Sequence, residues 1–353
     1  MMRDRNILIK NIYYMLSYAF TSLKQSNFES VATEEFDNIH NLFGAILARG
    51  LGQQLKQGLY REYLNKRENL TVMRGKIDMC GTIRSRIARK QVLACEYDEL
   101  SEDNIFNQIL KTTAMFLVRH GEVDREHKDD LRKKMLYFSH VGTLDPAAIP
   151  WSSLQFQRNN QTYRMLLSLC QLMLQGMLLT TDAGEYRLAS FLDEQRMSRL
   201  YEKFILEYYA KEFPMLHVRA SQIPWALDDG IRAMLPVMQS DITLSHGAKV
   251  LIIDAKYYAH TTQVRYDAHT VHSNNLYQIF TYVKNKNAEL KDLPHEVSGM
   301  LLYARTNEVL QPDSTYQISG NKISVKTLDL NCEFAEIAAQ LNLIVEEHFG
   351  CVR

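Results

Sequence analysis

The sequence carries no excess charge of either sign: 41 Lys and Arg balance 41 Asp and Glu, for a formal net charge of zero. A global positive field that would draw the chain onto nucleic acid is therefore excluded, and any basic surface must be local. A long apolar run is also missing. The longest stretch, MLLSLCQLMLQGMLL (165–179), is broken by Ser, Gln and Gly and falls short of the ~20 residues that span a bilayer. The opening MMRDRNILIKNIYYML has no continuous apolar core before a small-residue cleavage site, so it does not read as a signal peptide. Cysteine is sparse: Cys80, Cys95, Cys170, Cys332 and Cys351 lie far apart, odd in number and without a CxxC. That pattern predicts reduced thiols in a cytoplasmic protein. There is no GxxxxGK[ST] phosphate loop and no G-x-S-x-G elbow, which excludes a Walker NTPase site and that form of nucleophile. His269 and His272 form the one close histidine pair, with no third ligand in view, so zinc is not expected there.

What remains is an ordinary globular composition, 46% hydrophobic and 23% charged over 353 residues, which argues against disorder and for two domains. Ile9, Ile12, Tyr13, Leu16 and Phe20 recur at helical spacing, as do Phe36, Ile39, Leu42, Phe43, Ile46 and Leu47. From about Tyr60 to Tyr97 the period shortens, and LTVMRGKIDM and QVLACEYD read as strands on either side of the basic run Arg84, Arg86, Arg89, Lys90. Ser101 stands ahead of a helical EDNIFNQILKTTAMFLVRH, and two more helices are expected over 124–138 and 160–179. A helix over DEQRMSRLYEKFILEYYAKEF then leads into extended segments MLHVRAS, MLPVMQSDITLS and KVLIIDAKYY, with HGAK as a hairpin turn. The helix HSNNLYQIFTYVKN, the strand VSGMLLYA, a hairpin at SGNK and the helix FAEIAAQLNLIVEEHF complete the order. The boundary is placed at 190. Residues 191–353 sum to about −4 and residues 1–190 to about +4, a difference too small to assign a role.

The sharpest chemical feature is VLIIDAKYY. Val250 to Ile253 reads as a central strand buried on both faces, and such a strand ends in Asp-Ala-Lys at little cost only where its tip opens into a polar site. Alternation puts Asp254 and Lys256 on one side, and the hairpin can bring Asp241 to the same edge. Two carboxylates beside a lysine suit a magnesium ion at a scissile phosphate, with the lysine orienting water or stabilising developing charge. The competing reading is a solvated ion pair of little consequence. Gln278 and Tyr282, four apart, share a helix face; Gln278 either serves the lysine or a phosphate oxygen or points to water, and Tyr282 either supports it or is plain core. Glu202 and Glu207 are about 140° apart on the preceding helix, so only one of them can complete an acidic cluster. Cys80 and Cys95 read as small hydrophobes, and the basic run as a solvated face or a contact for partner or DNA.

SDITLSHGAKVLIIDAKYY followed by HSNNLYQIFTYV resembles the McrC family, the nuclease subunits of McrBC modification-dependent restriction systems. IKNIYYMLSYAF, MRGKIDMCGTI and CEYDELSEDNIFNQILK resemble it too, so the likeness covers nearly the whole chain. It implies an α+β N-terminal domain (1–190, helices plus a small β region) that docks on a ring of McrB-like AAA+ GTPase subunits. It implies an α/β PD-(D/E)xK endonuclease domain (191–353), a mixed sheet flanked by helices. By the same resemblance Asp241 and Asp254 match the metal-binding acids, Lys256 the motif lysine, Gln278 and Tyr282 the supporting helix, and Glu202 the helical acid more loosely. Ser240 stands where the superfamily name has proline. The carbonyl of Ala255 is a further expected ligand. The implied cofactor is Mg²⁺, GTP being bound by the partner, and the implied substrate is double-stranded DNA with modified cytosine. Self-association of nuclease domains would suit a double-strand break. An assembly and activator subunit with a weak or silent nuclease site, and a stand-alone nuclease, are the alternative readings.

Overall fold

The structure is a computed structural model that describes residues 3–4, 7–19, 34, 36–156, 161–176, 178–180, 186–188, 193–258, 262–265, 268–308 and 310–350. The chain divides into two compact units, Phe43–Leu188 and Met1–Leu42 with Ala189–Arg353. The later boundary falls beside the expected residue 190. The first 42 residues, assigned above to the N-terminal domain, pack instead with the C-terminal unit, because the stripe on their helix is buried against helices more than 180 residues away.

In chain order, the paired strands β1 (Arg3–Asp4) and β2 (Ile7–Leu8) lead into helix α1 (Ile9–Ala19), and α2 (Ile39–Gln57) straddles the division. Phe20 lies outside the described residues. The unit Phe43–Leu188 contains β3 (Glu62–Leu70), β4 (Lys76–Ile77), α3 (Met79–Ile87), β5 (Leu93–Ser101), α4 (Ile105–Arg119), α5 (Arg125–Met135), α6 (Gln161–Gly176), β6 (Leu178–Thr180) and β7 (Tyr186–Leu188). β3 pairs with β5 over nine residues, Glu62 opposite Ser101 through Leu70 opposite Leu93, and β4 pairs on the other side of β5. The expected strand LTVMRGKIDM is cut down to Lys76–Ile77. Gly75 turns there at φ +66°, where a Cβ would meet Glu96 O at 2.4 Å, and Asp78 accepts from Cys80 N to cap α3. The basic run consequently lies on a helix and its exit, with all four side chains exposed. Ser101 ends β5, and the cap of α4 is Asn104, whose side chain accepts from Asn107 N. Tyr163 Oη joins α6 to α4 and to the segment before β3: it donates to Asn107 Oδ1 (2.8 Å) and accepts from Tyr60 N (2.7 Å).

The second unit continues with α7 (Glu194–Glu212), capped by Asp193, then β8 (His217–Arg219), β9 (Gln222–Ile223), β10 (Met238–Gln239), β11 (Ile242–His246), β12 (Lys249–Lys256), β13 (Thr262–Arg265) and β14 (Ala268–Val271). Helix α8 (Ser273–Glu289), β15 (Glu296–Ala304), β16 (Ser314–Ile318), β17 (Asn321–Leu328) and α9 (Phe334–Phe349) follow. Six strands form a mixed sheet in the order β16-β17-β15-β12-β11-β8. β12, β15 and β17 run parallel, β11 runs antiparallel to both β12 and β8, so that β8 shares the direction of β12, and β16 returns antiparallel as an edge. Gly247, at φ +56°, makes the HGAK turn.

Both faces of the sheet are covered, as the apolar run of β12 requires. One face carries Val250, Ile252, Leu301, Ile323 and Val325 beneath Ile279, Tyr282 and Val283 of α8. On the other, Tyr201 of α7 reaches Leu302 O (3.4 Å) and stands 6.2 Å from the ring of Tyr257. Gly299 permits the close seating of α8: a Cβ there would meet Val283 Cγ2 at 2.7 Å and Ile279 Cγ1 at 2.9 Å. Among the described residues no helix is long and apolar enough to cross a membrane.

Candidate active site

β12 starts exposed at Lys249 and is buried from Val250 through Ala255. Its alternation lines up Val250, Ile252, Asp254 and Lys256, so the two apolar members anchor the strand and the two charged members emerge at its end. Asp254 is wholly buried. Lys256 Nζ donates to its Oδ1 at 2.9 Å and stands 2.9 Å from Oδ2. Oδ2, though in ion-pair range, lacks hydrogen-bond geometry to any partner.

The hairpin delivers Asp241 as the sequence suggests. Ile242 pairs with Ile253, so Asp241 lies just beyond the ladder, and its Oδ2 accepts from Ala255 N at 2.9 Å. Ser240 fixes that approach: its N–H donates to Ser221 O (2.9 Å), and its Oγ accepts from Ser221 N (3.2 Å) and shares a hydrogen bond with Thr243 Oγ1 (2.8 Å). The residue before Asp241 is thus a brace, a part its sequence position did not disclose.

Burial pushes Asp254 up from the usual carboxylate range to about 7; Asp241 adds to the rise and Lys256 opposes it. For Lys256, burial works against the ammonium, but Asp254 and Asp241 outweigh it and hold its pKa above the usual lysine value. Glu202 is raised by burial and next by the charge of Asp241, against the hydrogen bond from Ser198 Oγ to its Oε1 (3.0 Å) and the pull of Lys256. Of the four glutamates on α7, Glu202 is the one whose field includes Asp241 and Lys256 at the strand tips.

Gln278 and Tyr282 share their face as expected, but Gln278 Nε2 donates to Tyr282 Oη at 3.0 Å, and Tyr282 is core. The amide is turned along the helix rather than given to the lysine. Sequence reasoning missed a second polar pair: Tyr303 stands opposite Lys256 on β15, fully buried, and accepts from Asn275 Nδ2 at 2.9 Å. Burial raises its phenol to about 12, Asn275 counters, and Tyr258, Asp254 and Lys256 all contribute to its field. The ring of Tyr258 lies 6.2 Å from Tyr303 and 5.6 Å from His272. A tyrosine closing the apolar LLYA was the only local signal. The side chain of His269 lies outside the described residues.

Asp254 is thus paired with the Lys256 ammonium, Asp241 is tied to the neighbouring Ala255 N–H and Glu202 lies within electrostatic reach, with a buried carboxylate oxygen that accepts no hydrogen bond. Such an all-oxygen set fits a hard divalent cation. Among the described residues Cys80, Cys95, Cys170 and Cys332 are free, and burial pushes Cys170 up to about 12, which keeps it a thiol.

Comparison with known proteins bears on the whole chain. A family described as McrBC 5-methylcytosine restriction system component matches residues 3–304. The type IV methyl-directed restriction enzyme EcoKMcrBC of Escherichia coli (strain K12) is 29% identical over 352 residues, 97% of this chain and 98% of the relative. A solved half-complex from a tetradecameric assembly of Thermococcus gammatolerans McrB AAA+ hexamers with bound McrC aligns at a TM-score of 0.55 and 18% identity, over 95% of this chain and 76% of that one. The last likeness bears on the fold alone.

Proposed function

The chain belongs to the family of McrBC 5-methylcytosine restriction system components, and on that premise we propose that it is the DNA-cutting subunit of a GTP-dependent restriction complex. The observation that carries the reading is the buried, unbonded Oδ2 of Asp254, held beside Asp241 and the Lys256 ammonium at the end of a central strand. In this reading the sheet with α7 and α8 is a PD-(D/E)xK nuclease core. Asp241 and Asp254 hold Mg²⁺, with the Ala255 carbonyl as a further ligand and Glu202 completing the acidic set. The ion, when bound, supplies Lewis-acid neutralisation of the phosphoryl charge.

The chain's own residues do the rest. Lys256 is an ammonium, since its neighbours hold its pKa above the ordinary value; it is a hydrogen-bond donor to a phosphoryl oxygen and to the attacking water, not a base. Glu202, with Oε1 occupied by Ser198, keeps Oε2 to accept the proton of that water. Gln278, which gives its amide to Tyr282 (3.0 Å), serves Lys256 or a phosphate oxygen from α8 only once that amide turns. In-line attack then expels the bridging oxygen of the phosphodiester.

Two nuclease sites, and hence two copies, suit a double-strand break, and DNA as substrate places the reaction in the cytoplasm. The partner is an McrB-like AAA+ GTPase that reads modified cytosine in double-stranded DNA. The unit Phe43–Leu188 is the docking part, which fits the exposed Val72, Met73, Met79, Ile83 and Ile87 around α3; docking stimulates the partner's GTP turnover. The deciding experiment is cleavage of methylated and unmethylated plasmid with Mg²⁺ and GTP, with and without the partner, beside Asp254→Ala. Methylation-dependent cutting only in the complete mixture, lost in the variant while GTP turnover stays stimulated, is the expected result. Stimulated turnover without cutting by the wild-type chain leaves an activator subunit instead.

A further inference from the structure

Beside the acidic site, on the same face of the sheet, lies a cavity of about 540 Å³ that the chemistry described above leaves unused. Its position follows from the strand register. Asp254 pairs with Leu301, Leu301 with Val325, and Val325 with Ser314, and both Val325 and Ser314 line the cavity. At about 4.8 Å per strand, Val325 is about 10 Å and Ser314 about 14 Å across the sheet from Asp254. Val271 and Leu276, at and before the first turns of α8, form the opposite wall. Next to Val271, His272 stacks edge-on against Tyr258, two residues beyond Lys256, so the cavity wall continues into the site.

The lining selects a class of ligand. Tyr316 points to this face because it pairs with the buried Ile323, and it is 43% exposed. With Pro312 and Leu276 it offers flat apolar surface, whereas Asp313 and Ser314 offer acceptors at the rim. None of the lining residues is basic, and Asp313 has taken the nearby Lys326 as its partner (3.0 Å). Such a lining offers phosphate no cation of its own among the described residues and suits a neutral planar ring whose edge can meet the Ser314 hydroxyl. A strand carries one phosphate per about 3.4 Å of duplex axis, so a span of about 10–14 Å from the cut is three or four nucleotides.

We propose that this cavity takes one unstacked nucleobase, with an exocyclic amino edge, from the DNA strand three or four nucleotides from the scissile phosphate. The proposal rests on the phosphodiester-cleaving reading of Asp254. Stacking on Tyr316 and acceptance by the Ser314 hydroxyl would fix the register of the strand over Asp254 and Lys256.

The test uses the full chain with its GTPase partner on methylated duplexes carrying 2-aminopurine singly at positions one to six from the mapped cut on either strand, with Ca²⁺ replacing Mg²⁺. A several-fold fluorescence change is expected at one position three or four nucleotides from the cut. Tyr316→Ala and the cavity-filling Ser314→Trp both reduce it to the level of free duplex, and both slow cutting about tenfold in Mg²⁺ while leaving GTP stimulation at the wild-type level. No responding position in a complex that cuts the same duplex overturns the proposal and spares the nuclease reading. A response that survives both variants, or that the partner gives without this chain, overturns it equally. Failure of the wild-type complex to cut in Mg²⁺ fells both together.

Discussion

Asp254 occupies a place that its own burial opposes, and its neighbours act on it in opposite directions. The folded-state pKa of about 7 lies above the ordinary 3.8, so the unfolded chain gives up this proton first as pH rises. Stability from this group is complete below about pH 4, declines between about 4 and 7, and is lost above. Asp254→Asn cannot titrate. In metal-free protein, the advantage of the variant over wild type in urea unfolding is expected to grow by about 2–3 kcal/mol from pH 5 to pH 8, while cleavage disappears. A variant that loses ground to wild type at pH 8 would contradict the buried, strained carboxylate described here. Tyr303 gives a second case. Tyr303→Phe keeps the ring but leaves Asn275 Nδ2 without its partner, a loss of about 1–2 kcal/mol; because Tyr303 pairs with Lys256 across the sheet, kcat should fall about tenfold with KM for DNA unchanged. Equal activity of the two proteins in steady-state cleavage would reduce the pair to packing. At this scale the sequence was legible where local spacing fixes placement: Asp254 and Lys256 on one side by strand alternation, Asp241 at the same edge across a four-residue turn. Asn275 and Tyr303 stand 28 residues apart on elements whose juxtaposition only the parallel crossover creates, and no spacing rule joins them. The direction of Gln278's hydrogen bond was equally out of reach, since spacing fixes a face and not a rotamer.

Among elements, the contact of α8 with β15 has the least tolerance. Gly299 lets Ile279 and Val283 sit directly on the strand, closer than any Cβ permits. Gly299→Ala is therefore expected to cost about 1–3 kcal/mol by overpacking, visible in urea denaturation. It should also lower cleavage more than stability alone explains, because α8 carries Asn275 and Gln278. Unchanged stability would show that α8 yields without cost. The turns HGAK and SGNK, the parity of β12 and the apolar faces of α7 and α8 could all be read from periodicity. The segment before α3 could not: a run that alternates like a strand is overridden by Gly75 at positive φ and by the Asp78 cap, two local signals that outweigh the pattern. On α3 itself, Ile83 and Ile87 are 52% and 78% exposed and four apart, one face with nothing of its own unit upon it. Replacing both by Asp should leave the melting temperature within about a degree or two and abolish stimulation of the partner's GTP turnover. Full stimulation by that variant would move docking elsewhere.

The whole molecule is divided in a way that chain order conceals. Helix α1 belongs with the six-stranded sheet although the intervening unit separates them in sequence. Asn11 Nδ2 donates to Leu330 O (2.9 Å) and Cys332 O (2.8 Å), closing the loop between β17 and α9. Tyr18 Oη donates to Glu212 Oε1 (2.7 Å) at the end of α7, and Tyr14 stacks on Phe334 at 4.3 Å. Ile9, Ile12, Tyr13 and Leu16, the stripe that announced a helix, are buried to 5% exposure or less; their periodicity declared an amphipathic helix but not the surface it would cover, because pairs more than 300 residues apart leave no local trace. Residues 189–353 alone would then expose the apolar faces of α7 and α9 to water and leave two carbonyls of the 330–332 turn unpaired, a loss of several kcal/mol at about 25 cal/mol per Å² of apolar surface. Expressed alone, that piece should be insoluble or bind a dye for exposed apolar surface; expressed together with residues 1–42 as a separate chain, it should become soluble and melt cooperatively. Asn11→Ala in the added chain should weaken the rescue. Cooperative melting of 189–353 unaided, at the temperature of the pair, would reduce α1 to a passenger and return the boundary to residue 190.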